Sequence, residues 1–210
     1  MFEDLFDSLI DFEKINALKE RAESGDSDAQ CELADMYLDG FGMDQDYAEA
    51  MKWYRKAAEQ NNPTGMYNLG VMYYNGEGVE KDWDEAFKWY EKAASHDIPL
   101  AVRQLAGMYF SGDGCERNLE KALELYNKAA DLGDAGAMLS LGKCYLLGVD
   151  VEMDLMKASE WLLKANVRAR ETGCDWVQKE VKELLTPDGY SDDDDEDFDD
   201  DDDFEDDDED

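Results

Sequence analysis

The chain has little of what a membrane span, a secretory leader or a metal centre requires. No stretch approaches the roughly 18 apolar residues needed to cross a bilayer. The start, Met1-Phe2-Glu3-Asp4-Leu5-Phe6-Asp7, carries acids where a secretory signal carries bases. The expectation is a protein of the cytoplasm, or of the nucleus in a eukaryote, with no membrane contact. Histidine occurs once, at His96, too sparsely for an imidazole triad or a zinc centre; a cation near a helix C-terminus accounts for it. The four cysteines, Cys31, Cys115, Cys144 and Cys174, form no C-x-x-C. They read as free thiols, with a disulfide or zinc role as the alternative. No phosphate-cradling G-x-x-x-x-G-K and no calcium loop occurs. No catalytic residue, cofactor or metal is therefore expected, and the chain reads as a non-enzyme. Basic residues are also scarce, 20 against 55 acids, for a net charge of −35. Such a chain repels a phosphate backbone, which excludes direct nucleic-acid binding and favours a protein partner with a basic surface or peptide.

What the chain does have is a repeat. Leu33, Leu69, Leu105 and Leu141 are 36 residues apart, as are Tyr37, Tyr73, Tyr109 and Tyr145, and then Gly40, Gly76, Gly112 and Gly148. Ala50, Ala86, Ala122 and Ala158 follow in the same step, with Lys56, Lys92, Lys128 and Lys164 behind them. A fixed period of this length marks a solenoid, which is a surface more often than a catalytic cavity. The cysteines ignore the period, so they do not staple it.

Each copy predicts two helices. Asp26 caps the first helix of copy one, and Ala29, Leu33, Met36 and Tyr37 share one stripe. Pro63 and Pro99 fall in the first turn, where a missing N–H costs nothing. Gly40-Phe41-Gly42, Gly76-Glu77-Gly78 and Gly112-Asp113-Gly114 end these helices. Asp46, Asp82, Asn118 and Asp154 begin the second helices. Two capping boxes are expected, Asp46 with Glu49 and Asp82 with Glu85. Ala50, Trp53, Tyr54, Ala57 and Ala58 make a buried face, against which Ala34, Gly70, Ala106 and Gly142 allow close approach. At this spacing Trp53, Trp89 and Trp161 read as core rather than as a ligand box.

The expected architecture is all-α: an α/α solenoid of four 36-residue helix-turn-helix repeats, with capping helices and a disordered acidic tail. Residues 1–25 form the N-terminal cap, in which Leu18 and Ala22 keep the register of a second helix and Leu5, Phe6 and Leu9 pack on that cap. An acidic-hydrophobic docking segment is the other reading of residues 2–10. The repeats occupy 26–61, 62–97, 98–133 and 134–172; residues 173–187 cap the other end. Residues 188–210 are the tail, with 17 acids and no base in its last twenty positions, too charged to fold alone.

The second copy, with Gly65, Leu69-Gly70, Tyr73, Gly76-Glu77-Gly78-Val79, Asp82, Ala86, Trp89-Tyr90 and Lys92-Ala93-Ala94, resembles the Sel-one-like repeat, a relative of the tetratricopeptide repeat. The resemblance covers residues 26–169. Leu125, Asp150 and Asn166 depart from it, and Asp150 puts the fourth turn in question. The resemblance implies a right-handed superhelix that acts as an adaptor in protein complexes, with first helices lining the concave face.

A binding site should use positions that face solvent and vary between copies. Glu32, Asn68, Gln104 and Ser140 form one such stripe, and Asp35, Val71, Gly107 and Lys143 a second. Asp39, Asn75 and Ser111 extend it, and Tyr67 and Arg103 flank it with side chains of the hot-spot type. The expectation is a groove for a peptide or helix, acidic at its N-terminal end, on a monomer; the alternative is an ordinary solvated surface. In the tail, Phe198 and Phe204 interrupt the acids as candidate anchors for a basic protein. The leading functional reading is an adaptor or regulator. The alternative is an inhibitor or chaperone of a basic nucleic-acid-binding protein or toxin, acting through the tail.

Overall fold

Helix ends in this chain are set by side chains that satisfy orphan backbone groups. The carboxylate of Asp26 accepts from the N–H groups of Asp28 and Ala29 at 3.1 and 3.0 Å, and that of Asp46 accepts from Ala48 and Glu49, both at 3.0 Å. Asp82, Asn118 and Asp154 each accept one such bond, from Glu85, Lys121 and Lys157. Gly40, Gly76, Gly112 and Gly148 close the first helices in the left-handed region, at φ of 65 to 86°. The computed structural model, which describes residues 2–149 and 151–185 with side chains from residue 13 onward, is all-helical over these residues.

The N-terminal helix α1 (Phe2–Glu23) precedes four hairpins: α2 (Ser27–Asp39) with α3 (Tyr47–Glu59), α4 (Pro63–Asn75) with α5 (Trp83–Ala94), α6 (Pro99–Ser111) with α7 (Leu119–Asp131), and α8 (Ala135–Leu147) with α9 (Leu155–Thr172). Helix α10 (Asp175–Leu185) ends the described part. Each helix packs on the next in chain order, and α10 also touches α8. This is the solenoid that the period predicts. α1 runs unbroken, so its first half extends the capping helix instead of folding back on it. The side chains of Leu5, Phe6 and Leu9 lie outside the described residues, as do Asp150 and the tail.

The core is a continuous seam. Ala50, Tyr54, Leu69, Tyr90, Leu105 and Ala122 belong to one buried cluster spanning the first three hairpins, and Leu141 joins it from the fourth. A second cluster, Leu139, Leu162, Val177 and Val181 among others, binds α8, α9 and α10. A third joins Ala22 of α1 to Ala29 and Leu33. Burying each large side chain contributes about 1.5–3 kcal/mol. Close approach at Gly70 and Gly142 is made by the partner helix's large side chain, not by its alanines. A Cβ on Gly70 would sit 2.6 Å from the Tyr90 ring, and one on Gly142 2.7 Å from Leu162.

Two sequence expectations change in detail. The capping boxes are only half formed. The N–H groups of Asp46 and Asp82 donate to the carbonyls of Tyr37 and Tyr73 at 2.8 and 2.9 Å, so Glu49 and Glu85 accept from Lys52 and Lys88 instead. Asn118 and Asp154 make the same bonds to Tyr109 and Tyr145. The periodic lysines also gain a role. Lys56, Lys92 and Lys164 lie over the rings of Trp53, Trp89 and Trp161 at 3.6, 3.8 and 4.5 Å. In the third copy, where Leu125 replaces Trp, Lys128 pairs with Asp97 at 2.6 Å.

The second glycine of the turn serves the stack in the copies that have it. A Cβ on Gly78 would lie 2.8 Å from the carbonyl of Tyr47, and Gly114 meets Trp83 in the same way. The second and third turns thus rest on the first residue of the preceding second helix, while a Cβ on Gly42 of the first turn would meet the Ile15 side chain of α1 at 2.7 Å.

Candidate protein-binding strip

The first helices α2, α4, α6 and α8 carry the varying positions, and the structure divides them into two groups. Glu32, on α2, is exposed and lies 3.9 Å from Arg21. It borders an open cavity of about 540 Å³ with Ile15, Leu18, Met36 and Phe41, which is 74% exposed. Asp39 and Asn75 are exposed, and Asn68 and Gln104 are half-buried. These side chains can reach an incoming chain.

The other strip residues make contacts within the fold, although Asp35 is itself exposed. The phenol of Tyr54 donates to the carboxylate of Asp35. Burial pushes the Asp35 carboxyl up and that phenol bond pulls it back down, leaving it above the usual carboxylate range. The same surroundings push the Tyr54 phenol up, through burial first and then the Asp35 bond. Burial, reinforced by Asp35 and Asp28, pushes the Cys31 thiol up to about 12. Val71 packs against the main core cluster. Ser140 donates to the carbonyl of Gly136 at 2.9 Å, and Lys143 pairs with Glu180 of α10. Ser140 and Lys143 line a cavity of about 240 Å³ with Phe110, Tyr126, Cys144, Leu147 and Val149.

The flanking pair, Tyr67 and Arg103, sits in one cluster. The Tyr67 ring is 5.8 Å from that of Tyr90. Burial raises the Tyr67 pKa, and the Arg103 charge partly offsets the rise. Arg103 Nε lies 2.9 Å from the Asp134 carboxylate, with side-chain exposures of 21% and 7%. Its N–H points off that oxygen, so charge rather than a linear hydrogen bond holds the pair. The Trp176 ring lies 5.9 Å from the guanidinium. Arg103 therefore ties α6 to the N-cap of α8 and to α10. Sequence reasoning missed Asp134 and Trp176 here, because no pattern within one repeat links them. Leu147 was legible by comparison between copies, since Asp39, Asn75 and Ser111 hold the same position.

No group of three or more His, Cys, Asp or Glu side chains among the described residues gathers to hold a metal ion. The four cysteines are free, Cys31 and Cys144 buried, Cys115 and Cys174 half-buried. His96 is exposed in the turn after α5. No described helix is long and apolar enough to cross a membrane.

Solved structures with this arrangement exist. A protective antigen of uropathogenic Escherichia coli displaying an SLR fold is 36% identical, with a TM-score of 0.72; the match covers 81% of this chain. The chain spans only 36% of that antigen's length. A Sel1 repeat protein from Oxalobacter formigenes is 31% identical over 74% of this chain and 69% of its own, with a TM-score of 0.66. An immunity protein from Pseudomonas aeruginosa is 26% identical over 74% of this chain and 57% of its own, with a TM-score of 0.53. No curated protein matches the chain. The Sel1 repeat model matches residues 27–62, 63–97, 99–134 and 135–166, and the chain belongs to the Sel1 repeat family.

Proposed function

We propose that this chain is a protein-binding scaffold that takes a basic peptide or helix along α2, α4 and α6. Sel1 repeats mediate protein–protein interaction and are in general non-enzymatic scaffolds. The observation that carries the reading is the division of labour along the repeat. Positions that recur in all four copies, such as Leu33 and Ala50, are buried in the seam, whereas Glu32, Asn68 and Gln104 vary and reach solvent. Glu32, Asp35 and Asp39 make the N-terminal end acidic, which supports a basic ligand there. Peptide display on the full chain tests this. Selected peptides should be rich in Lys and Arg, and Asn68→Ala with Gln104→Ala should weaken them about tenfold, a loss of about 1.4 kcal/mol. Lys88→Ala, on α5, should leave binding unchanged. Equal loss at all three positions, or none at Asn68 and Gln104, refutes the strip.

A second reading is favoured by the likeness to the immunity protein and by the charge of residues 191–210. In it the chain blocks a basic, nucleic-acid-binding protein, with Phe198 and Phe204 as anchors. Deleting residues 191–210 should then lower affinity for a basic protein and flatten its salt dependence, since screening over about 10 Å at 0.1 M salt acts on exposed charge. Unchanged affinity and unchanged salt slope in the truncated chain rule it out.

A further inference from the structure

The solvent face of α9 departs from the other second helices. Met156, Leu163 and Val167 project there, 77, 62 and 50% exposed. Steps of seven and four residues align them on one stripe, opposite the buried Ala158, Leu162, Ala165 and Ala169. In copies one to three the Leu163 position holds Arg55, Glu91 and Asn127, and the Val167 position Glu59, Ser95 and Asp131. The chain itself thus shows what water selects at these places, and α9 carries the opposite.

Cations flank this stripe. Lys157, Lys164 and Arg170 lie on α9. Arg170, Lys179 and Lys182 line a shallow cavity of about 360 Å³ between α9 and α10, with Val181 and Leu185. No carboxylate lines that cavity among the described residues. Glu160 shares the α9 face, and Asp154 and Glu183 already pair with Lys157 and Lys179 at 3.6 and 4.0 Å, so all three carboxylates oppose an acidic occupant. In a chain of net charge −35 this is a site for apolar groups set among acids.

The chain contains such a segment. We propose that residues 191–210 bind in cis to the solvent face of α9, with Phe198 and Phe204 on the apolar stripe and carboxylates over Lys157, Lys164, Arg170 and Lys179. Phe198 lies thirteen positions after Leu185, a reach of up to about 45 Å. Phe198 and Phe204 are six residues apart, about 20 Å when extended. Met156 and Val167 are eleven helical residues apart, about 17 Å. Tethering makes the encounter intramolecular, which favours it without a large interface. The inference does not rest on the strip along α2, α4 and α6.

Carbodiimide cross-linking of the full chain, read by mass spectrometry, tests it. An equal mixture of nitrogen-15-labelled and unlabelled protein separates links within a chain from links between chains. Intrachain links from residues 192–210 to Lys157, Lys164 and Lys179 should exceed those to Lys52, Lys56 and Lys88 by about fivefold, as a preference near one kilocalorie would give. Phe198→Ser with Phe204→Ser keeps the charge and should remove most of that excess. Leu163→Asp, at an exposed position, should do the same, and Glu160→Lys should raise it. An even spread over all lysines, an excess unchanged by the Phe substitutions, or links mainly between labelled and unlabelled chains each overturn the proposal.

Discussion

Replacing Arg103 by Met keeps an aliphatic stem beside Tyr67 and Trp176 but removes the charge facing Asp134. Asp134 is then a carboxylate with 7% of its side chain exposed, stabilised by the N-terminus of α8, whose Ala137 N–H donates to it at 2.6 Å. Removing one partner of a buried pair costs about 3–5 kcal/mol. Here the guanidinium is one-fifth exposed and its Nε–H is poorly aligned, and the helix end still faces the carboxylate. We expect a loss of about 2 kcal/mol, near 5 °C in Tm for a chain of this size. Asp134→Asn keeps the capping oxygen and leaves a cation that can turn toward water, for a loss of about 1 kcal/mol. The double variant should lose about 1.5 kcal/mol less than the two single losses combined. Urea unfolding followed by circular dichroism measures all three, with equal m-values as the check that the transition stays comparable. Additivity within about 0.4 kcal/mol would refute the pairing and free Arg103 for a role in binding alone.

Gly107→Ala places a Cβ 3.7 Å from the Tyr126 hydroxyl, an ordinary contact, so helix propensity should raise stability by about 0.8 kcal/mol in the same unfolding assay. Gly70→Ala meets the buried Tyr90 ring and should lower it by about 1 kcal/mol once overpacking is set against propensity; a gain at both positions would mean the helices part freely. Asn61 holds φ of 62° in the turn between copies. Asn61→Ala should therefore be about 1 kcal/mol less stable than Asn61→Gly, and equal melting temperatures would remove the left-handed strain. The fold keeps the Cys31 thiol protonated up to about 12, against 9.0 ordinarily, and raises the Tyr54 and Tyr90 phenols through burial. The unfolded chain ionises these groups first, so their contribution to stability should be full below about pH 9 and fall steadily toward pH 12. A urea midpoint flat across that window would contradict it.

The hairpins were legible because their signals are local. Asp46 caps the helix that begins one residue later, and Gly40 ends the helix that runs into it. What escaped sequence reasoning depends on neighbours from another turn or repeat. The N–H of Asp46 is taken by Tyr37, nine residues back, so a capping box that reads well in one dimension does not close. Lys56 repeats faithfully, but only the position of Trp53 beneath it explains why. The strip was read as a row of outward-facing residues, and Glu32 and Gln104 fit that reading. Asp35 is exposed and Lys143 half-buried, and each also finds a hydroxyl or charge partner on another helix, which the sequence does not reveal. Arg103 reads as an interface arginine and is also paired with a carboxylate thirty-one residues away, which no local pattern announces.

The rest of Gly78 on Tyr47, and of Gly114 on Trp83, gives the stack a direction. For the first two hairpins this contact comes from the hairpin that follows. A nascent polypeptide thus seals these modules in order of synthesis, each waiting for the next bend to emerge. Shortening from the carboxyl side strips a surviving module of its cover, whereas losing the leading module leaves the contacts of this kind farther along intact.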